Sequence, residues 1–255
     1  MAFIHMNLIS TALMRTVPVN VIIPADKPDF PGIPKRENKP YKTLYLLHGV
    51  LGSYVDWVNG TRIQRFAEMN DLVVVMPSGE NSFYVDMPNG SDNYGDFIGR
   101  ELVELTRKIF PLSHKREDTF IGGLSMGGYG AIRNGLKYHD TFGYIIGLSS
   151  ALITEDMAKR KENDEVMFYE TKAFGERCFG DLEELLNSDM DPKYLVRKLK
   201  EENIDFPKFY MACGLQDGLL PKSDEFAAFL KENGIDVTYE TGPGVDRQMG
   251  DAIGH

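Results

Sequence analysis

The chain has 255 residues, 42% hydrophobic and 26% charged. That is enough to bury a core without a metal or disulfide staple, and it fits one large α/β domain spanning 1–255. The 28 Lys and Arg stand against 38 Asp and Glu, a formal charge of −10, so neither nucleic acid nor an anionic membrane is an expected partner. A small-molecule substrate and a homo-oligomer remain open. Two cysteines, Cys178 and Cys213, are too few for a disulfide framework or a four-cysteine zinc site, which points to a reducing, cytoplasmic setting.

The start, MAFIHMNLISTALMR, lacks a basic n-region and a small-residue cleavage site, so it reads as a strand rather than a signal peptide. No apolar run reaches the roughly 18–20 residues that span a bilayer. Residues 6–23 hold two β-biased runs placed for a hairpin, and 24–41 is a Pro-rich charged loop. KTLYLLHGV (42–50) and DLVVVMPSG (71–79) are continuous apolar runs ending in Gly or Pro-Gly, suited to strands buried on both faces. Between them TRIQRFAEMN (61–70) has helical spacing with Thr61 as N-cap. Residues 80–95, rich in Asn, Gly, Asp and Tyr, read as a long surface loop, and 96–110 carries a helical apolar stripe.

EDTFIGGLS (117–125) is a further strand, followed by a Gly-rich helix over 125–139 and a strand over 143–152. Residues 153–205 are charged, helical and weakly periodic, and read as a cap-like insertion. FPKFYMACGLQD (206–217) resumes the strand pattern, 221–234 is a helix stopped by Gly234, and IDVTYETG (235–242) is the last strand. Strands alternating with helices imply a mostly parallel sheet in an α/β fold.

The strongest local signal is Gly123-Leu124-Ser125-Met126-Gly127, with a buried strand before it and a helix after. This is the nucleophile-elbow pattern, in which a tight turn lifts a serine hydroxyl above the sheet. The flanking glycines suit a turn where a Cβ would clash. The second signal, Leu47-His48-Gly49-Val50-Leu51-Gly52, ends the first buried strand. A loop there supplies a backbone N–H to a developing oxyanion, with Val50 the expected donor and Met126, just past the serine, its partner. His48 comes too early for a base, because this architecture orders its triad serine, acid, histidine. It reads as structural. Asp217, just past a later strand, is the expected acid. Asp224 and Glu225 fall on the next helix.

These blocks resemble the short-chain esterases of the tributyrin esterase and feruloyl esterase type, within the esterase D group of α/β-hydrolases. The resemblance rests on YLLHGVLGSYVDW, VVVMPSGENSFYVDM, REDTFIGGLSMGGYGA, ACGLQDGLL and VTYETGPG, and covers roughly 6–244. It implies an α/β-hydrolase fold with Ser125 as nucleophile, Asp217 as acid, Val50 and Met126 as oxyanion donors, and no metal or organic cofactor. It also implies that Trp57 lines the mouth of the site, against the alternative of core packing. The implied activity is hydrolysis of short acyl esters through an acyl-enzyme. Neighbouring alternatives are a feruloyl or acetyl polysaccharide esterase and an S-formylglutathione hydrolase. Phe83, Tyr84, Phe168, Tyr169 and Phe174 could stack on an aromatic acyl group or simply pack the cap.

The chain departs from the family after the last strand. It reads GPGVDRQMGDAIGH, with Asp246 where the family carries its histidine and no family-like aromatic segment after it. The tail resembles a truncation, a frame change or a fusion to foreign residues. Of five histidines, His5, His114 and His139 read as structural or surface residues. His255 is the one histidine after the acid, nine positions beyond 246. About 30 Å of extended chain would let it return to Ser125. Otherwise the chain is a catalytically impaired hydrolase scaffold.

Overall fold

The computed structural model describes residues 1–27, 31, 37–88 and 90–243. Eight strands form one sheet: β1 (Ala2–Ser10), β2 (Arg15–Ile23), β3 (Lys42–Leu47), β4 (Leu72–Pro77), β5 (Thr119–Leu124), β6 (Tyr144–Leu148), β7 (Lys208–Gly214) and β8 (Val237–Gly242). Their spatial order is β1-β2-β4-β3-β5-β6-β7-β8. The β1–β2 hairpin and the β2–β4 pair are antiparallel, and every pairing from β4 through β8 is parallel. This is the expected α/β-hydrolase architecture.

The central strands are apolar on both faces, as their unbroken hydrophobic runs require. Along β3 and β4 the side chains alternate between two core clusters. Tyr45, Leu47, Val73 and Val75 enter one, while Leu44, Leu46, Val74 and Met76 enter the other. The second cluster is closed by Trp57 from α1 (Asp56–Gly60) and by Ile63 and Ala67 from α2 (Ile63–Met69). Thr61 lies between these helices, donating to the Trp57 carbonyl and accepting from the Ile63 N–H, so it caps the start of α2 from one position further out than a side-chain N-cap.

The apolar stripe over 96–110 forms a continuous helical stretch with a wide turn inside it. It runs from α3 (Tyr94–Asp96) through a π-helical turn (Phe97–Glu101) into α4 (Leu102–Ile109). The segment expected as a surface loop, 80–95, is interior in part: Ser82, Phe83, Tyr84 and Val85 are buried, while Glu80, Pro88, Gly90 and Ser91 are exposed. Its polar composition misled because the polar atoms are satisfied internally. Ser82 Oγ donates to the Gly79 carbonyl and accepts from the Tyr84 N–H, and the Tyr84 hydroxyl donates to the His48 carbonyl.

Residues 153–205 supply α6 (Thr154–Met157), α7 (Lys172–Phe179) and α8 (Pro192–Glu201). They are not all cap. Helix α8 packs against α5 (Met126–Lys137) and α9 (Leu220–Glu232) as the crossover between β6 and β7. Phe174, Cys178, Phe179 and Leu182 join the main core cluster. Asp191 caps α8 through the Tyr194 N–H at 3.0 Å and accepts from the Thr154 hydroxyl at 3.0 Å. Arg133, fully buried on α5, reaches back to Asp189 at 3.1 Å.

Candidate active site

Ser125 sits at the junction of β5 and α5 with φ 57° and ψ −117°, a backbone region costly for any residue but glycine. The surroundings hold it there. Its N–H donates to the Leu148 carbonyl at 2.9 Å, and its carbonyl accepts from Tyr129 at 3.0 Å and Ala151 at 2.9 Å. A Cβ at Gly123 would fall on the Gly127 and Leu47 carbonyls. One at Gly127 would fall on the Leu47 and His48 carbonyls, and one at Gly128 on Ser150. All of these except Ser150 Oγ are backbone atoms that cannot step aside, so the glycines are a condition of the turn.

A cleft of about 290 Å³ opens over this serine, lined by Val50, Phe83, Ser125, Met126, Ala151, Ile153, Tyr169, Glu170 and Leu219. Val50 and Met126 thus border the same space as the serine. Among the described residues neither backbone N–H has an acceptor. The Met126 N–H is also the first of α5, where helix N–H groups face outward and favour negative charge. Such an arrangement can hold an anionic oxygen beside a serine hydroxyl.

Asp217 lies just beyond β7, two strands over from β5, and is buried. Its Oδ1 accepts from the Leu219 N–H at 2.8 Å, its N–H donates to Gly214, and its carbonyl accepts from Leu220. The carboxylate is therefore fixed next to a residue that lines the cleft. His255 and Asp246 lie outside the described residues.

His48 is buried with both ring nitrogens engaged. Nδ1 donates to the Gly49 carbonyl at 2.8 Å, and Nε2 accepts from the Gly79 N–H at 2.8 Å. That pairing requires the neutral ring, and burial lowers its pKa below 6.5. His5 bonds Asn20 and stacks on Tyr54. Neither histidine lines the cleft.

Trp57 is placed differently from the expectation. It is 1% exposed inside the second core cluster and is absent from the cleft wall. Helix α1 turns the indole under the sheet, where an apolar ring gains more than at a wet rim. Of the five aromatic candidates, Phe83 and Tyr169 line the cleft, and Phe83 is braced by Tyr129, Phe174 and Phe179. Tyr84 is core, Phe174 packs under the cap, and Phe168 is half-exposed beside it. Ala151, Ile153, Glu170 and Leu219 escaped the sequence reading. They carry no motif, and three distant segments bring them together.

The strand–serine–helix elbow, set in this sheet order, defines a serine esterase of the α/β-hydrolase class. Residues 10–177 match the model of a family described as putative esterase. The chain is 46% identical over 244 residues to an acetyl esterase of Caldicellulosiruptor saccharolyticus, covering 96% of this chain and 91% of that one. It is 33% identical to a substrate-bound structure of Staphylococcus aureus fluorophosphonate-binding serine hydrolase F, with TM-score 0.82 over 96% of this chain and 91% of that one. It is equally identical, 33% with TM-score 0.80, to S-formylglutathione hydrolase from the same organism, over 96% and 92% of the two chains. The chain belongs to this esterase family.

Proposed function

We propose that this esterase removes short acyl groups, acetyl foremost, from neutral alcohols. Ser125 Oγ attacks the acyl carbonyl carbon while its proton passes to an imidazole, for which the chain supplies His255. Asp217 orients that imidazole and stabilises its charge. The N–H groups of Val50 and Met126 hold the oxyanion. Collapse of the tetrahedral adduct expels the alcohol, which takes the proton back from the imidazole. Water, deprotonated by the same base, then attacks the acyl-serine, releasing the acid and restoring the serine.

The observation that carries this reading is the apolar lining of the cleft beside Ser125. Phe83, Ala151, Ile153 and Leu219 leave a small apolar space directly beside Ser125, which suits a short acyl chain. The similarity to an acetyl esterase supports the same choice. Among the described residues Glu170 is the one charged residue lining the cleft. Its carboxylate opposes a leaving group that carries carboxylates, which places S-formylglutathione behind neutral esters. An aromatic acyl group is the second reading, favoured by Phe83 and Tyr169 in the wall. Two buried free cysteines, Cys178 and Cys213, support a reducing, cytoplasmic setting.

Comparison of kcat/KM on 4-nitrophenyl acetate, butyrate and octanoate, methyl ferulate and S-formylglutathione tests the assignment. The expected order falls from acetyl through butyryl to octanoyl, with the thioester below the neutral short esters. A higher value for octanoate, ferulate or S-formylglutathione than for acetate overturns it.

A further inference from the structure

The turn that carries Val50 is held from behind by a histidine that does not reach the cleft. The Gly79 N–H donates to His48 Nε2 at 2.8 Å. A backbone amide can only donate, so Nε2 bears no proton and the neutral ring carries its hydrogen on Nδ1. That hydrogen goes to the Gly49 carbonyl at 2.8 Å. The same carbonyl accepts from the Gly52 N–H at 3.1 Å. It therefore has two donors, one from within the turn and one from the imidazole.

The Gly49 carbonyl and the Val50 N–H belong to one peptide group. That peptide is trans, so its C=O and N–H point in opposite directions within one plane. Fixing the carbonyl toward His48 and Gly52 fixes the N–H on the other side, and Val50 borders the cleft beside Ser125. The Gly52 bond is internal to the turn and moves with it. The His48 bond is anchored outside the turn, because the ring is buried and its far nitrogen is held by Gly79, after β4. Tyr84 packs edge-on against the imidazole and donates its hydroxyl to the His48 carbonyl at 2.9 Å, which holds the ring in place.

We infer that His48 is a positioning residue for the oxyanion site: its Nδ1–H sets the plane of the Gly49–Val50 peptide and so aims the Val50 N–H. The inference rests on the reading of Val50 as an oxyanion donor. Removing one such donor costs about 10²–10³ in rate, and a donor turned off its line loses part of that effect. Acylation and deacylation both pass through an oxyanion. Loss of the Nδ1 contact therefore lowers kcat and leaves KM nearly unchanged.

The two ring nitrogens are tested one at a time. The amide of His48→Asn reaches the place of Nδ1 and keeps a donor for Gly49, but leaves the Gly79 N–H unpaired. The amide of His48→Gln reaches the place of Nε2 and keeps an acceptor for Gly79, but takes the side-chain donor from the Gly49 carbonyl. Each variant loses one buried hydrogen bond, so both melt below the parent. The readouts are kcat and KM for 4-nitrophenyl acetate and affinity for a short trifluoromethyl ketone, whose serine adduct carries the oxyanion. His48→Gln is expected to lower kcat by about 10-fold or more with KM within about 3-fold, and to weaken the ketone in parallel. His48→Asn is expected to recover kcat to within about 3-fold of the parent. An equal loss of kcat in the two variants, or an unchanged kcat in His48→Gln, overturns the inference. Val50→Pro separates it from the reading beneath it. With Leu51 at φ +63° and the Gly52 N–H closed on Gly49, Gly49–Gly52 is a type II turn, in which proline suits the place of Val50 and removes its N–H. If Val50→Pro keeps its full kcat, the oxyanion assignment itself is wrong, and this inference with it. If Val50→Pro collapses while His48→Gln keeps its kcat, the role of His48 alone falls.

Discussion

His48 Nε2 accepts the Gly79 amide proton at 2.8 Å, joining the end of β3 to the turn after β4 through a neutral imidazole. Protonation would convert this acceptor into a donor facing another donor. Because burial depresses the folded pKa below 6.5, the contribution is fully present above the unfolded value. It is lost as pH falls from there through the lower folded value. His48→Asn keeps a donor near Gly49 but strands the Gly79 N–H, costing about 1–3 kcal/mol at neutral pH. Melting temperatures measured across this range should fall more steeply with acidity in the parent than in His48→Asn. Parallel curves would show that the ring does not stay neutral.

Ser125 combines a strained backbone with the proposed nucleophile, so two substitutions at one position separate the two properties. Ser125→Ala should lower short-ester hydrolysis by at least ~10³-fold while keeping the strain of φ 57°. Ser125→Gly should be equally inactive and more stable than Ser125→Ala by roughly 1–2 kcal/mol, because glycine accepts that conformation. Chemical denaturation and a 4-nitrophenyl acetate assay on both proteins check this. Retained hydrolysis in either variant sinks the nucleophile assignment.

The acid and the base are tested together. Asp217→Asn should lower kcat by roughly 10⁴-fold, the size seen when a triad acid becomes its amide. If His255 is the working base, His255→Ala abolishes turnover and Asp246→His changes little. If it is not, His255→Ala is silent and Asp246→His, at the position the family gives its histidine, raises the rate. Each tenfold change corresponds to about 1.36 kcal/mol of barrier. One short-chain ester suffices for all three variants.

Glu101 anchors the tip of the β1–β2 hairpin to the helical stretch on which it sits. Its carboxylate accepts from the Thr11 N–H at 2.7 Å and hydroxyl at 2.6 Å, from the Ser10 hydroxyl at 2.5 Å and from the Ala12 N–H at 3.3 Å. Burial pushes its pKa up, but these hydrogen bonds outweigh burial and hold it below 4.5. The stability it contributes is present above the unfolded carboxylate pKa of about 4.3 and is lost as pH falls through the lower folded value. Glu101→Gln turns an NH₂ toward these donors and should cost about 1–3 kcal/mol at pH 7, with a shallower loss of the urea midpoint on acidification. An unchanged midpoint at pH 7 would refute the anchor.

The sheet and the elbow were legible in the sequence because their causes are local. Buried parallel strands must be apolar on both faces, so β3, β4 and β5 announce themselves as unbroken runs. The turn at Ser125 needs glycine at 123 and 127 because backbone carbonyls leave no space for a Cβ. Chain order placed Asp217 after a strand end, where the structure has it buried against Leu219. Tertiary structure decided what depended on partners distant in sequence. Residues 82–85 lie in a segment polar in composition yet are interior, because the polar atoms of Ser82 and Tyr84 bond each other, Gly79 and His48. Trp57 went to the core rather than the rim because α1 sets its indole in the same apolar cluster as Leu44, Leu46, Val74 and Met76 of β3 and β4. The cleft wall needed Phe83, Ile153, Tyr169 and Leu219 from separate segments, and no residue in such a set signals its neighbours. Asn81 is the clearest case. An asparagine in a loop carries no pattern, and only the fold sets its side chain against the backbone amide of Leu51, thirty positions away in the chain.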